Sequence, residues 1–337
     1  MGKAYRRNTH EKAPLKRPYS SFTQLMKHMR VDLRRTVVCL TLIALAGIPF
    51  GGEVFYTRLF TRIMLYAMVA CSLDLILGYG GMVSFGHAAF VGVGAYTVAI
   101  LGYHGVTSGL IAWPASVVMA ALLALVIGGI SLRTSGVYFI MITLAFAQML
   151  YYLAVSLKTY GGDDGLRIVR NTFAGVLDLR QHAILYYVVW LGLCLVLWLG
   201  RRLVHSRFGV VLRGIKENER RMQALGYATF AYKLVSFVIA GGVAGLAGAL
   251  LANQTAYVSP ALMHWTRSGE IMVMVILGGM GSGFGPVLGA ITLLLAEEIL
   301  SSYTEHWMLF LGPMLLVIVL RARRGLYGLV PAAEAQP

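Results

Sequence analysis

Apolar stretches and short polar connections alternate along most of this chain. A membrane-spanning helix needs about 20 mostly apolar residues, and ten segments of the sequence reach or approach that length. The pattern therefore predicts an all-α fold: a polytopic membrane helical bundle with about ten transmembrane segments. The predicted segments are residues 36–51, 59–77, 84–103, 110–132, 135–157, 182–199, 232–257, 269–280, 285–303 and 307–320.

Composition agrees with this pattern. Hydrophobic residues make up 58% of the 337 positions and charged residues only 13%, and the mean hydropathy is +0.72. A soluble domain of this length needs more charge to cover its surface. The composition is therefore that of an integral membrane protein.

The positive charges are clustered. Of the 29 Lys and Arg residues, ten fall in the first 35 positions, eight between 201 and 233, and three between 321 and 324. Basic clusters mark cytoplasmic segments, and with ten crossings all three clusters fall on one side. The expected division is a basic cytoplasmic tail (1–35), a transmembrane domain (36–320) with a cytoplasmic loop (201–232) and an external loop (158–181), and a cytoplasmic C-terminal tail (321–337).

Motifs for catalysis are absent from the sequence. It contains no GxxxxGK[ST] phosphate loop, no HExxH, no GxSxG and no paired cysteine motif. The net charge of +15 comes with no base-reading module, so a nucleic-acid partner is not expected. We expect a chain that is not an enzyme, binds no metal and hydrolyses no nucleotide itself.

Glycine is concentrated in three apolar regions, GYGGMVSFGHAAFVGVGAY (78–96), AGGVAGLAGALLANQ (240–254) and ILGGMGSGFGPVLGA (276–290). Small residues let membrane helices approach closely, and they also leave room along a solute path. In the third region the glycines and Pro286 predict either a broken helix beside a solute site or a tight turn. The residues singled out here are Gly78, Ser84, Gly86, His87, Gly92, Gly94, Gly241, Gly245, Gly248, Gly278, Gly279 and Gly281.

Asp74 lies inside the second predicted segment. An acid at membrane depth is costly and faces the bundle interior or water. It serves either in a structural hydrogen bond or in proton coupling. His87, at the start of the third segment, is interpreted as a capping or packing imidazole, because no second ligand is spaced to join it in a metal site.

The cytoplasmic loop, RRLVHSRFGVVLRGIKENERRMQALGYATFAYK, mixes apolar and charged positions at near-helical spacing. Gly226 ends the pattern, as at a helix C-terminus. The loop therefore predicts a short amphipathic helix. It would lie either on the membrane surface or against a partner protein.

Four motifs resemble a known family. GYGGMVSFGHAAFVGVGAYT, GIKENERRMQALG, AGGVAGLAGALLA and SGEIMVMVILGGMGSGFGPVLGA occur in this order between about residues 65 and 328. Together they closely resemble the permease subunits of high-affinity branched-chain amino-acid ABC importers. The wording SFGHAAF and the length favour the M-type member of the permease pair over the H-type.

The resemblance implies an assembly in the bacterial inner membrane. A second, similar permease, two ATPase subunits and a periplasmic substrate-binding protein would be the partners, and branched-chain amino acids the solute. ATP and Mg would be used by the ATPase subunits, with no cofactor on this chain. The cytoplasmic loop would be the segment that couples to the ATPase, through Arg213, Ile215, Lys216, Glu217, Asn218, Glu219, Ala224, Leu225 and Gly226.

Two positions depart from the family pattern. Asp74 stands where the family often has Asn, so a charge is present near the path. Arg221 and Met222 stand where the wider importer signature has two alanines, which puts the detail of the ATPase contact in question. The external segment 158–180 is our candidate for contact with the binding protein.

Three other interpretations are retained. The same class of importer also carries urea, short amides or aromatic acids. A proton-coupled secondary transporter would use Asp74 and Glu297. A membrane enzyme is disfavoured by the missing catalytic motifs.

The sequence yields a first mutational prediction. Gly86, Gly92 and Gly94 are expected to form part of a wall between the solute path and the paired permease, and so to tolerate bulk least. Gly92→Leu should abolish transport while leaving membrane insertion intact. Uptake assays combined with quantification of the inserted chain test this, and normal uptake by the variant would contradict it.

Overall fold

The computed structural model describes residues 36–173, 177–178, 181–304 and 325–329, together with 306, 309, 312, 313, 320 and 321. Nearly all of the described chain is helical. The helices are α1 (Thr36–Gly51), α2 (Val54–Asp74), α3 (His87–Tyr103), α4 (Gly109–Ser131), α5 (Val137–Ser156), α6 (His182–Val204), α7 (Arg207–Glu217), α8 (Glu219–Ala224), α9 (Thr229–Thr255), α10 (Trp265–Gly278), α11 (Gly285–Tyr303) and α12 (Gly325–Leu329).

Within the described residues, six helices are long and apolar enough to cross a membrane: α2 with its last turn to Tyr79, α4, α5, α6, α9 and α11. Helices α1 and α3 are apolar but shorter, and α10 has 14 residues. The predicted helical membrane bundle is thereby confirmed. The count of ten stays a prediction, because most of its last segment, 307–320, lies outside the described residues.

Helices α2, α3 and α9 form the centre of the bundle, and α4, α5 and α6 lie around it. Helix α4 shows the pattern that places it there. Its buried positions Ala112, Ser116, Ala120 and Ala124 recur every four residues, while large apolar side chains such as Leu122 are exposed. The small stripe therefore packs against α9 and the bulky face is left for lipid.

Two interruptions shape the interior. Helix α2 continues through Gly78 as a π-helical turn, Leu75–Tyr79, two residues beyond the predicted segment 59–77, and α3 begins only at His87. Between α10 and α11, residues 279–284 form a compact turn with φ of 113° at Gly279, 72° at Gly281 and 76° at Gly283. Since side chains rarely adopt positive φ, glycine is required there.

Short strands occur in the connection between α5 and α6, where the helical pattern predicted none. Strand β1 (Leu166–Arg167) pairs antiparallel with β4 (Tyr257–Val258), and β2 (Thr172–Phe173) with β3 (Leu177–Asp178). Asn253 holds this connection to α9, because its Oδ1 accepts from the Asn171 N–H at 2.7 Å. The connection is thus fixed to the central helix.

Candidate functional site

Four glycines of α3 and α9 form close helix contacts, which we call the glycine seam: Gly94, Gly241, Gly245 and Gly248. A Cβ at Gly94 would overlap the Gly245 carbonyl, and one at Gly248 would overlap the Val91 carbonyl. On the other side of α9, a Cβ at Gly241 would lie 2.5 Å from that of Ala124 in α4. In this chain the seam glycines serve helix contact.

The start of α3 is held by polar groups from two other helices, α2 and α10. His87 Nε2 lies 2.8 Å from Ser72 Oγ in α2, and that hydroxyl donates to the Val69 carbonyl at 2.7 Å. With the hydroxyl proton directed to the Val69 carbonyl, the assigned tautomer has Nε2 as the donor to Ser72 Oγ. Ser268 Oγ of α10 accepts from the Ala88 N–H at 3.0 Å.

The segment before α3 is equally constrained. A Cβ at Gly86 would lie 2.9 Å from the Thr143 carbonyl of α5. Ser84 Oγ accepts from the Gly86 N–H at 3.2 Å. His87, fully buried, therefore acts in packing and positioning, and no group of three or more His, Cys, Asp or Glu that could hold a metal occurs in the described part of the chain.

A row of rings lies on the exposed side of this region. Phe85 faces Trp265 with ring centroids 6.4 Å apart, His264 lies 5.9 Å from Trp265, and Tyr151 lies 5.5 Å from His264. Tyr152 continues the row and is 66% exposed, while Trp265 is 41% exposed. We call these five residues the aromatic row.

At the C-terminal end of α2, residues from three segments meet in what we call the α2 junction: Asp74, Gly78, Lys216 and Gly281. Asp74 Oδ1 accepts from the Gly281 N–H at 2.7 Å. Lys216 Nζ of α7 donates to the Gly78 carbonyl at 2.6 Å. A Cβ at Gly78 would overlap both the Asp74 carboxylate and the Gly281 nitrogen, so only glycine fits.

The remaining predicted glycines pack the turn after α10. A Cβ at Gly278 would overlap the Gly285 carbonyl, and Gly279 lies against Gly325 of α12. These contacts join α10, α11 and α12 tightly. The third glycine-rich region is therefore a tight turn between helices α10 and α11.

The loop 201–232, which was predicted to be cytoplasmic, forms two short helices, α7 and α8. Val211, Leu212 and Ile215 of α7 are buried, with Leu212 packed on Leu75 of α2 and Val204 of α6. Much of the apolar face of α7 is thus covered by the bundle and is unavailable to lipid.

Polar contacts fix the other loop residues. Arg213 donates to the carbonyls of Gly209 and Val204. Asn218 Oδ1 accepts from the Arg221 N–H at 3.0 Å and so caps α8. Glu219 pairs with Lys233 of α9 at 2.5 Å. Glu217, Ala224, Leu225 and Gly226 are exposed.

A largely apolar cavity of about 530 Å³ lies beside the α2 junction, between α1, α2, α6 and α9.

Glu297, the other carboxylate considered for proton coupling, lies far from Asp74. Glu297 pairs with Arg62 at 3.3 Å, and Arg62 precedes Asp74 by 12 residues, or about 18 Å along a helix. The structure therefore does not bring Asp74 and Glu297 together.

Sequence reasoning missed the aromatic row, Thr143, Met263 and Ser268. Ser268 had a usable signal, since WTRSGE precedes an apolar run as at a helix start. Met263 packs against Gly92, where a Cβ would overlap its side chain. Thr143 and Met263 have no signal in the sequence, because both contact α3 across a large sequence separation.

Comparisons with known proteins agree with one another. The profile of the family described as "Branched-chain amino acid transport system / permease component" matches residues 55–320. No solved structure matches at a significant level. Similar proteins include the "High-affinity branched-chain amino acid transport system permease protein LivM" of Escherichia coli (strain K12), 29% identical over 86% of this chain and 74% of that protein; LivH of the same strain, 25% identical over 81% and 96%; and the "Probable branched-chain amino acid transport permease protein LivM" of Methanocaldococcus jannaschii, 25% identical over 74% and 82%.

Proposed function

The chain belongs to the family of branched-chain amino acid transport system permease components, and we propose that it forms, with a second permease, the membrane path of an ATP-driven importer for leucine, isoleucine and valine. The chain itself is non-catalytic in this proposal. ATP and Mg are used by two ATPase subunits. A binding protein delivers the solute from outside the cytoplasmic membrane.

One observation of the structure carries the coupling part of the proposal: the exposed tip that follows α8. Much of α7's apolar face is buried in the bundle, although Val210 is 58% exposed, and further exposed apolar groups lie at the tip, where Leu225 is 67% and Tyr227 is 41% exposed. Exposed apolar groups rimmed by charge are typical of a protein contact. The tip therefore supports docking to an ATPase over lying on the membrane surface.

The aromatic row supports a path beside α3, α5 and α10. Both α3 and α10 begin in the bundle after non-helical segments, and interrupted helices commonly flank solute sites. The exposed rings of Trp265 and Tyr152 and the polar His264 then face the second permease and the solute. In this arrangement the wall of the path is the row, and the glycine seam lies behind it.

Orientation follows from charge. The basic segments 1–35, 201–232 and 321–337 lie on the cytoplasmic side in our proposal, so both termini are cytoplasmic. The connection 158–181 then faces outward, where it is available to the binding protein.

The solute is proposed by analogy with the branched-chain amino acid permeases that this chain resembles, and uptake of labelled leucine tests it. Cells lacking the gene should lose high-affinity leucine uptake and regain it when the gene is restored. Unlabelled isoleucine and valine should compete. Unchanged leucine uptake in cells without a second leucine importer would contradict this solute and favour another, such as urea, a short amide or an aromatic acid.

Leu225→Asp tests the docking tip. A carboxylate in an apolar contact is desolvated without a partner, so we expect co-purification of the ATPase subunits and leucine uptake both to fall at least tenfold. Leu225→Met keeps the apolar surface and should retain both within twofold. Normal co-purification by Leu225→Asp would place the ATPase contact elsewhere.

A further inference from the structure

We propose that Lys216 is a positioning residue that ties the α7–α8 pair to the end of α2, so that motion of the ATPase contact moves the centre of the permease. The inference rests on the proposed function, because it assumes that α7 and α8 meet an ATPase. It adds the specific bond through which that contact acts on the path.

The bond is short and well supported. Lys216 Nζ donates to the Gly78 carbonyl at 2.6 Å. The side-chain carbons of Lys216 pack on Gly81, where a Cβ would lie 3.0 Å from Cγ of the lysine. Because Gly81 has no side chain, the lysine stem can cross it and reach the carbonyl.

Gly78 is a suitable acceptor for a local reason. The last carbonyls of a helix have no partner within it, and a cation at this end is favourable. Here the Ile76 carbonyl accepts from the Met82 N–H at 2.9 Å, and the Leu77 carbonyl accepts from the Gly81 N–H at 3.2 Å. The next carbonyl, that of Gly78, accepts from Lys216 in another helix.

The same peptide is held from its other side. Asp74, one turn earlier on α2, accepts from the Gly281 N–H at 2.7 Å, and a Cβ at Gly281 would lie 3.2 Å from the Gly78 carbonyl oxygen. Lys216 and the α10–α11 turn thus contact the same turn of α2. A shift of α7 is therefore transmitted to Gly281.

From Gly281 the connection reaches the start of α3. The turn directly follows α10 in the chain, and Ser268 Oγ of α10 accepts from the Ala88 N–H at 3.0 Å. Helix α10 also carries Trp265 of the aromatic row. Since helices are rigid over this length, they carry displacement between contacts at their two ends.

The apolar contact between α7 and α2 would not by itself transmit a displacement of α7 in a fixed direction. Leu212, one turn before Lys216 on α7, packs on Leu75 of α2, but a hydrophobic contact is non-directional and lets α7 pivot. The Lys216 bond, at the last turn of α7, fixes the direction. Without the Lys216 bond, the ATPase subunits continue to hydrolyse ATP, but movement of α7 no longer changes the conformation of the path.

The test uses the complete transporter, with both permeases, the ATPase subunits and the binding protein, in proteoliposomes loaded with ATP. Lys216→Met keeps the stem over Gly81 and removes the donor. We expect leucine uptake to fall at least tenfold while ATP hydrolysis stays within twofold, so that leucine transported per ATP falls at least fivefold. Lys216→Arg, which retains a donor, should recover at least half of the native ratio. Arg207→Gln, a charge change at an exposed residue at the start of α7 and outside the predicted coupling set, should leave the ratio unchanged.

Each other outcome counts against the inference. An unchanged ratio for Lys216→Met overturns it, as does an equal loss of uptake and hydrolysis, which indicates lost docking. If the Lys216→Met complex does not assemble, Lys216→Gln is measured instead, because its shorter side chain does not reach the Gly78 carbonyl. If neither variant assembles, the role of the lysine is purely structural and the inference is wrong. Native complex that moves no leucine refutes the proposed function, a result distinct from native transport with an unaffected variant.

Discussion

Gly94→Leu is expected to reduce leucine uptake to less than a hundredth and to reduce the amount of folded chain. At this position a Cβ would overlap the backbone carbonyl of Gly245. A side chain could relieve such an overlap by adopting another rotamer, but a helical backbone cannot. Helices α3 and α9 would have to separate along their whole contact. Overpacking costs about 1–3 kcal/mol where neighbours can adjust, so we expect a loss of about 3 kcal/mol or more here.

The same helix offers a matched control. Gly102 also lies in α3, and a Cβ there has no atom within 4 Å. Gly102→Leu should therefore keep uptake and thermal stability close to the native values. Detergent-solubilised chain would be compared by size-exclusion chromatography and thermal unfolding beside the uptake assay. Equal behaviour of the two variants would show that the seam is not the determinant of α3–α9 packing.

The loss of stability caused by Gly92→Leu is expected to lie between those caused by Gly102→Leu and Gly94→Leu. A Cβ there meets the side chain of Met263, which is buried but has rotatable bonds and can move in part. More of the Gly92→Leu chain than of the Gly94→Leu chain should therefore insert and fold, although both residues lie in one glycine-rich motif. The sequence ranks the two alike, because it shows the absence of a side chain without showing what occupies the space.

The sequence places the helices well because the membrane imposes one requirement on each of them: an apolar run of sufficient length. The predicted segment 285–303 coincides with α11, and 182–199 falls short of α6 only because Arg201 and Arg202 extend the helix beyond the apolar region. The start of α3 was less accessible. Residues 84–86 stand in a mostly apolar stretch, but there the Phe85 N–H donates to Thr143 Oγ1 of α5 at 3.3 Å, a contact that local periodicity does not show.

The candidate site was predicted in two separate parts. Lys216 was assigned to ATPase coupling, and Asp74, Gly78 and Gly281 to the path or the permease interface. The structure brings them together across sequence separations of 138 and 207 residues. Local periodicity carries no information on such contacts, so the α2 junction could only be found in the folded chain.

Asp74→Asn is expected to retain leucine uptake within threefold, whereas Asp74→Leu should lose at least tenfold. The bond to the Gly281 N–H needs one acceptor oxygen, which the asparagine carbonyl supplies. The Gly283 N–H also acts on this carboxylate, more weakly than that of Gly281, so asparagine keeps the stronger of the two contacts. Leucine leaves the Gly281 N–H without its acceptor, and an unsatisfied buried donor costs about 1–3 kcal/mol.

This pair of variants also separates the importer from a proton-coupled carrier. A carrier that moves protons through Asp74 requires an ionisable group there, so Asp74→Asn would abolish its transport as completely as Asp74→Leu. An importer driven by ATP requires only the hydrogen bond that holds the α10–α11 turn against α2. Uptake measured in proteoliposomes with and without internal ATP decides between them: loss of uptake by Asp74→Asn, with transport independent of ATP, would refute the structural role of Asp74 and the ATP-driven mechanism together.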